Sequence, residues 1–220
     1  MLQKNTIDFL KKLKNNNNKE WLDGHRALFE AAKSDFESLV SAIILQLGKL
    51  DSRFADLKPK DCIFRINRDV RFSKDKSPYK TNFGAAFSPG GKKSKSGGFY
   101  VHIEPGKSFI GGGVWMPEPS DLKKIRQEID YNFKAFHNIL TNKQFVALFG
   151  QLDQESVLKN PPKGYDAENP AVEYLKLKSF VTGHAVKDPL LTDKELIKTI
   201  VTCYKALHPF LQFLNTAINE

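Results

Sequence analysis

Cysteine is scarce in this chain. Cys62 and Cys203 are the only two in 220 residues, far apart and outside any C-x-x-C or Cys/His cluster, which excludes a disulfide framework and a structural zinc site and leaves buried free thiols as the expectation. Long apolar runs are missing too. None approaches the roughly 20 residues of a membrane span, so no membrane partner is expected. The first residues mix lysines with isolated apolar positions and lack the uninterrupted apolar stretch of a secretory signal, from which a cytoplasmic location follows as an expectation. Among five histidines there is no H-x-x-x-H pair, and no carboxylates cluster as in a D-x-D centre, so neither a metal nor another cofactor is expected. No internal repeat is present, and nothing in the pattern specifies an oligomeric state.

Acidic residues are scarce in one place above all. Residues 58–95 carry eleven Lys and Arg against three Asp and no Glu, a net of +8, while the rest of the chain carries 23 basic against 22 acidic residues; nearly the whole formal +9 lies in one segment. What the chain does have is core: 40% hydrophobic residues, with 17 Phe, exclude disorder and suffice for one domain over residues 1–220.

The hydrophobic period then sorts the chain. Ile7, Leu10 and Leu13 predict a short helix that ends in the polar turn Asn15 to Asn18. Trp21 to Leu47 predict a long helix with a break inside it. From Cys62 the period changes to two, which predicts a strand placing Arg65 and Asn67 on one face. Further strands are expected at 82–88, 98–104 and 108–115, the second with Phe99, Val101 and Ile103 on one side and Tyr100, His102 and Glu104 on the other. A helix is expected over 120–131 and another through Phe145 and Phe149. Asn169-Pro170 reads as a helix start, 178–186 as a returning strand, and Thr192 with Glu195 as a capping box, with Pro209 separating two C-terminal helices. The fold class is α+β: a small antiparallel or mixed sheet over about residues 62–115, with a further strand near 178–186, flanked by N- and C-terminal helices.

The basic segment centres on Arg65-x-x-Arg68-Asp69-x-Arg71-Phe72, followed by Asp75-Lys76-x-x-Tyr79. That signature resembles the bacterial family designated domain of unknown function 2461. Glu20-Trp21, Gly111-Gly112-Gly113-x-Trp115 with Pro117-Glu118-Pro119, Leu122 with Ile125-Arg126, and Lys163-Gly164-Tyr165 resemble it as well. The resemblance covers essentially the full chain, and it implies membership without an established activity to transfer.

Physically the signature reads as an anion site. Arg65, Arg68, Arg71, Lys76 and Lys80 offer charge-assisted donors to a phosphate-type ligand, and Tyr79 adds a hydroxyl. Asp69 either orients an arginine fork or acts as a base, and orientation is the better reading because flanking cations weaken its basicity. His102 and Glu104, together on one sheet face, are a further acid–base candidate. Gly111 to Gly113 permit close backbone approach. The loop 88–98 is not a phosphate loop, since Ala86 stands where the first glycine of G-x-x-x-x-G-K-[ST] belongs and Lys93 where Ser or Thr belongs; it reads as a mobile hairpin loop. Three readings remain open. One is a pocket for a phosphorylated or other anionic small molecule, with or without catalysis. Another is a nucleic-acid surface built on Lys74, Lys76, Lys80, Lys92, Lys93 and Lys95, with Phe72, Tyr79 or Phe99 for stacking. The third is an internal ion-pair network with no ligand.

Overall fold

A computed structural model describes residues 1–219. It contains a four-stranded antiparallel sheet in the order β1-β2-β3-β4, formed by Phe83–Phe87, Gly98–Ile103, Phe109–Val114 and Phe180–Ala185. Ten helices accompany it among the described residues: α1 (Lys4–Asn15), α2 (Lys19–Gly24), α3 (Arg26–Leu50), α4 (Pro59–Cys62), α5 (Pro119–Tyr131), α6 (Phe133–Leu140), α7 (Lys143–Phe149), α8 (Val172–Leu175), α9 (Asp188–Leu191) and α10 (Leu196–Asn219). The class is α+β, as the periodicity indicates. Among the described residues no helix is long and apolar enough to cross a membrane.

The packing divides the chain into two compact units. The first comprises Met1–Lys92, Tyr100–Ile110 and Ala185–Thr202. In it α1 packs on α3 through Phe9, Leu10, Leu13, Phe36, Leu39 and Val40, all buried, and Phe83 of β1 stacks against both Phe9 and Phe36. Gln3 has no capping side chain of its own; Asp35 of α3 caps α1 instead, taking the Gln3 amide at 2.8 Å and the Thr6 hydroxyl at 2.5 Å. The break expected in the long amphipathic stretch falls at His25, whose ring stacks on Trp21 and donates through Nδ1 to the Trp21 carbonyl.

The second unit comprises Lys93–Phe99, Gly111–His184 and the described part of Cys203–Glu220. Its core joins Ile125, Ile129, Phe136, Phe145, Leu175 and Phe210, with Phe99 stacked 4.4 Å from Tyr204. A Cβ at Gly111 or Gly113 would run into the carbonyl oxygens of Thr182 and Phe180, so the glycine run serves close approach of the neighbouring strand backbone. Asn215 clasps the Gly97 peptide, accepting from its amide at 2.7 Å and donating to its carbonyl at 3.1 Å.

Four local expectations are corrected. The strand expected from Cys62 does not form: Cys62 ends α4, which Pro59 initiates, and residues 63–67 pair only through isolated bridges, Ile63 with Ala85 and Asn67 with Tyr79. The opposing arm carries Pro78, which has no N–H for a regular ladder. Pro209 lies inside α10 instead of ending it, where buried Leu207 before it and Phe210, Leu211 and Leu214 after it hold one apolar face continuous. The helix expected at Asn169-Pro170 starts later, at Val172, while the Asn169 side chain accepts from the Ala171 amide. Ahead of α10 the side chain that accepts from the Glu195 amide is Asp193, and Thr192 instead contacts the Pro189 carbonyl.

Asn215→Ala should destabilise the protein by about 2–3 kcal/mol in urea unfolding, because two hydrogen bonds are lost and the Gly97 amide and carbonyl stay buried without them. An unchanged unfolding midpoint would show that the clasp contributes nothing.

Candidate functional site

The signature forms an irregular two-armed excursion of the first unit. Its arms are held by Phe64 N to Gly84 O at 3.0 Å, Lys80 N to Ile66 O at 2.7 Å and Arg68 N to Pro78 O at 2.9 Å. The Asn-rich turn fixes the returning arm: Asn17 donates through Nδ2 to the Tyr79 carbonyl at 2.9 Å and accepts the Tyr79 amide at 3.0 Å. Nothing in a run of four asparagines marks that role in the sequence. The tip is shaped by side chains. Arg71 makes a two-point ion pair with Asp69, Nε to Oδ1 at 3.0 Å and Nη2 to Oδ2 at 2.7 Å. Arg68 pairs with Asp75 and also reaches the Ser77 carbonyl and the Ser73 hydroxyl. Lys76 Nζ donates to the Val70 carbonyl.

These contacts settle the electrostatics of the tip. The Arg71 hydrogen bonds hold the Asp69 carboxyl below its usual range, and Ser77 first, then Arg68, bring Asp75 to about 2. Both acids are therefore fully ionised partners near neutrality, and neither is a base. With Arg71 77% exposed such a pair is screened and fixes shape more than it stabilises the fold. Phe72, beside Arg71, is 96% exposed.

Among the remaining predicted ligand residues, Tyr79 is buried, and Arg65 and Lys80 stand at the base of the arms. Arg65 is exposed and has no hydrogen bond or ion pair among the described residues. Lys80 lies over the Phe64 ring, its Nζ 5.4 Å from the centroid. Burial, and then the Arg65 charge, lower its pKa. Two cations without a carboxylate between them are the combination an anion relieves.

On β2 the alternation places Tyr100, His102 and Glu104 on one face, opposite buried Phe99, Val101 and Ile103. They form a chain of contacts. Thr81 Oγ1 donates to Glu104 Oε1 at 3.0 Å, and His102 Nε2 lies 3.3 Å from Glu104 Oε2. The carboxylate only accepts, so Nε2 carries the proton, and Nδ1 is the acceptor that Tyr100 Oη reaches at 3.1 Å and Asn82 Nδ2 at 3.4 Å. The imidazole stacks on Phe109 at 4.9 Å. Side-chain exposures of 17% for His102 and 16% for Glu104 make this a half-buried pair. Burial lowers the His102 pKa, outweighing Glu104, and Lys80 lowers it further. Burial also lifts Tyr100 to about 12. Gly84 makes room for the phenol, since a Cβ there would sit 2.5 Å from Tyr100 Oη.

The other sequence candidates lie elsewhere. In the loop after β1, Lys92 Nζ is tied to the Lys60 carbonyl and Lys95 to Glu118. No group of three or more His, Cys, Asp or Glu is placed to hold a metal among the described residues. The sequence pointed to His102 and Glu104 through alternation, which also carries Tyr100. Thr81, Asn82 and Gly84 become visible only once the arms fold back.

The molecule is thus an α+β protein with a half-buried Tyr–His–Glu chain on its sheet, contacted by Thr81 and Asn82 just after the signature. It belongs to the family described as conserved hypothetical protein DUF2461, with the match spanning residues 5–213. No curated protein and no solved structure matches it.

A base held below its free pKa contributes stability that is in place above pH 6.5 and is lost as pH falls through the lowered value. The His102 ring signal followed by NMR should therefore titrate below 6.5, and Glu104→Gln, which removes the group opposing that shift, should move the midpoint lower still. A midpoint at or above the free value would mean that the pair is not enclosed as described.

Proposed function

We propose that this protein binds a phosphorylated or similarly anionic small molecule at Arg65 and Lys80 and that the neighbouring His102 moves a proton at it. The observation that carries the reading is the imidazole fixed between Tyr100 and Glu104, with Lys80 close enough to act on it, Arg65 acting in turn on Lys80, and neither cation in an ion pair. An anion at Arg65 and Lys80 is held by charge-assisted bonds of about 1.5–3 kcal/mol each. It also counters the burial that lowers the Lys80 pKa. His102 is then the base. As a ligand hydroxyl or a water gives up its proton to Tyr100 Oη, the phenol passes its own to Nδ1, and Glu104 stabilises the imidazolium at Nε2. Phenol and imidazole exchange protons in one direction, so no charge is left on Tyr100, whose high pKa disfavours it.

Arg68, Arg71, Asp69, Asp75 and Lys76 shape the excursion in this reading; Tyr79 anchors it. A nucleic-acid partner is favoured by one observation, the near-complete exposure of Phe72 beside Arg71 on a basic arm, a geometry suited to base stacking.

Thermal unfolding against phosphate, nucleotides, phosphosugars and short oligonucleotides at low and moderate salt separates the readings. A ligand at about 100 times its Kd adds roughly 2.7 kcal/mol, a rise of roughly 5–10 °C for a chain of this size. One class of small phosphorylated compound should give that rise, and Arg65→Ala should remove it without changing the ligand-free midpoint, while His102→Gln should keep binding and lose turnover. A rise confined to oligonucleotides and abolished by salt would transfer the function to nucleic acid. No rise with any ligand would leave the signature as an ion-pair scaffold.

A further inference from the structure

Of six arginines, four are paired with aspartates seven residues away or fewer: Arg26, Arg53, Arg68 and Arg71. Arg65 and Arg126 are not. Exposure excuses Arg65, since water solvates its guanidinium. Arg126 has no such relief. It projects from α5 and is half-buried; its Nη2 donates to the Leu177 carbonyl at 3.1 Å, and its Nε is enclosed with no acceptor. Buried donors on charged groups are rarely left this way, because the full desolvation cost falls on the unmatched atom, and a bound water or ion is the usual remedy.

The obvious partner has been directed elsewhere. Asp130 stands one helical turn on, at the spacing that favours an Arg–Asp pair. Its Oδ1 instead accepts from Asn169 Nδ2 at 2.6 Å. What lies within electrostatic reach of Arg126 is Tyr165, in the loop whose Tyr165 amide closes on the Pro162 carbonyl. Burial and Asp130 keep the Tyr165 hydroxyl protonated, and so a donor. The surroundings of Arg126 therefore offer guanidinium N–H groups and a phenol hydroxyl able to donate, with no carboxylate paired to the guanidinium.

We propose that Arg126 and Tyr165 form a second anion site, in the second unit, for a single carboxylate. The Nε and Nη2 edge of a guanidinium matches the two oxygens of a planar carboxylate, and the phenol supplies a third donor. Charge sets the class. One guanidinium balances a monoanion, and the Asp130 carboxylate acting on the same phenol disfavours the higher charge of a phosphate dianion. The carboxylate belongs either to a small organic acid or to the C-terminus of a peptide. The site is independent of Arg65 and Lys80.

The test uses the full chain with 15N-labelled arginine and follows the Arg126 Nε–H signal, assigned through Arg126→Lys, against acetate, benzoate, inorganic phosphate, and a short peptide with a free or an amidated C-terminus. The expected result is a saturable movement of that signal with carboxylates, weaker with phosphate, unchanged in Arg65→Ala, and with affinity lowered about 5–10-fold in Tyr165→Phe by loss of one hydrogen bond. Saturation by acetate or benzoate with no preference for the free peptide assigns a small acid; tighter binding of the free than of the amidated peptide assigns a chain terminus. A signal that no carboxylate moves at tens of millimolar overturns the proposal and leaves an enclosed water as the partner of Nε. So does stronger binding of phosphate, or an equal response from all six arginines. If Arg126→Lys fails to fold, Tyr165→Phe decides alone, because it removes one oxygen and leaves the charge in place.

Discussion

A guanidinium leaving water needs an acceptor, and the supply of acceptors governs where this protein holds its charge. Within the signature six cations from Arg65 to Lys80 face only Asp69 and Asp75. Both aspartates are taken, by Arg71 and Arg68. The shape of the tip is thereby fixed, and four cations are left without a carboxylate: Lys74 and Lys76 at the tip, where Lys76 donates to the Val70 carbonyl, and Arg65 and Lys80 at the base of the arms. Charge at the base of the arms comes to lie beside the polar face of β2. What sets Arg65 and Lys80 apart from the lysines of the tip is position, since Lys80 acts on His102 and Arg65 acts on Lys80.

Holding that surplus near the sheet requires contacts of another kind. Asn17 grips the Tyr79 peptide from the N-terminal turn, so the returning arm is fixed by neutral hydrogen bonds that neither salt nor pH weakens. Gly84 leaves the space that Tyr100 Oη occupies. Loss of either feature would disturb the proton chain without touching a titratable group. The Phe64 ring under Lys80 adds an attraction for the ammonium while keeping water from it, the same burial that lowers its pKa.

How far the sequence alone reached varied with the range of the interaction. Period-3.6 and period-2 patterns are set by which face is buried, so α1, the α2/α3 break, β1 to β4 and the polar face of β2 were readable. Failures came where one proline or one cap competed with tertiary burial. Pro209 removes a single N–H, yet the apolar face of α10 continues through it; Pro78, opposite Arg68 in the partner arm, has no N–H to return to the Arg68 carbonyl, so the ladder stops there. At the site, charge counting located the segment and alternation paired His102 with Glu104. Local pairing could not be assigned. Which arginine takes which aspartate depends on how the arms turn, and Asn17, Thr81, Asn82 and Gly84 contribute through contacts that no spacing rule encodes.

The same reasoning explains why a neutral histidine is stable beside a positive segment. Glu104 alone would raise the His102 pKa. Burial and the Lys80 charge oppose it and prevail. The imidazole consequently stays a base with Tyr100 on its free lone pair. An anion over Arg65 and Lys80 would cancel part of the opposing field and raise the His102 pKa at the moment of binding. In the proposed function, ligand binding and proton uptake would be coupled: a bound anion would strengthen the base that acts on it, and its departure would favour release of the proton. Lys80 would then serve two ends, attracting the ligand and adding to the burial that holds the His102 pKa down.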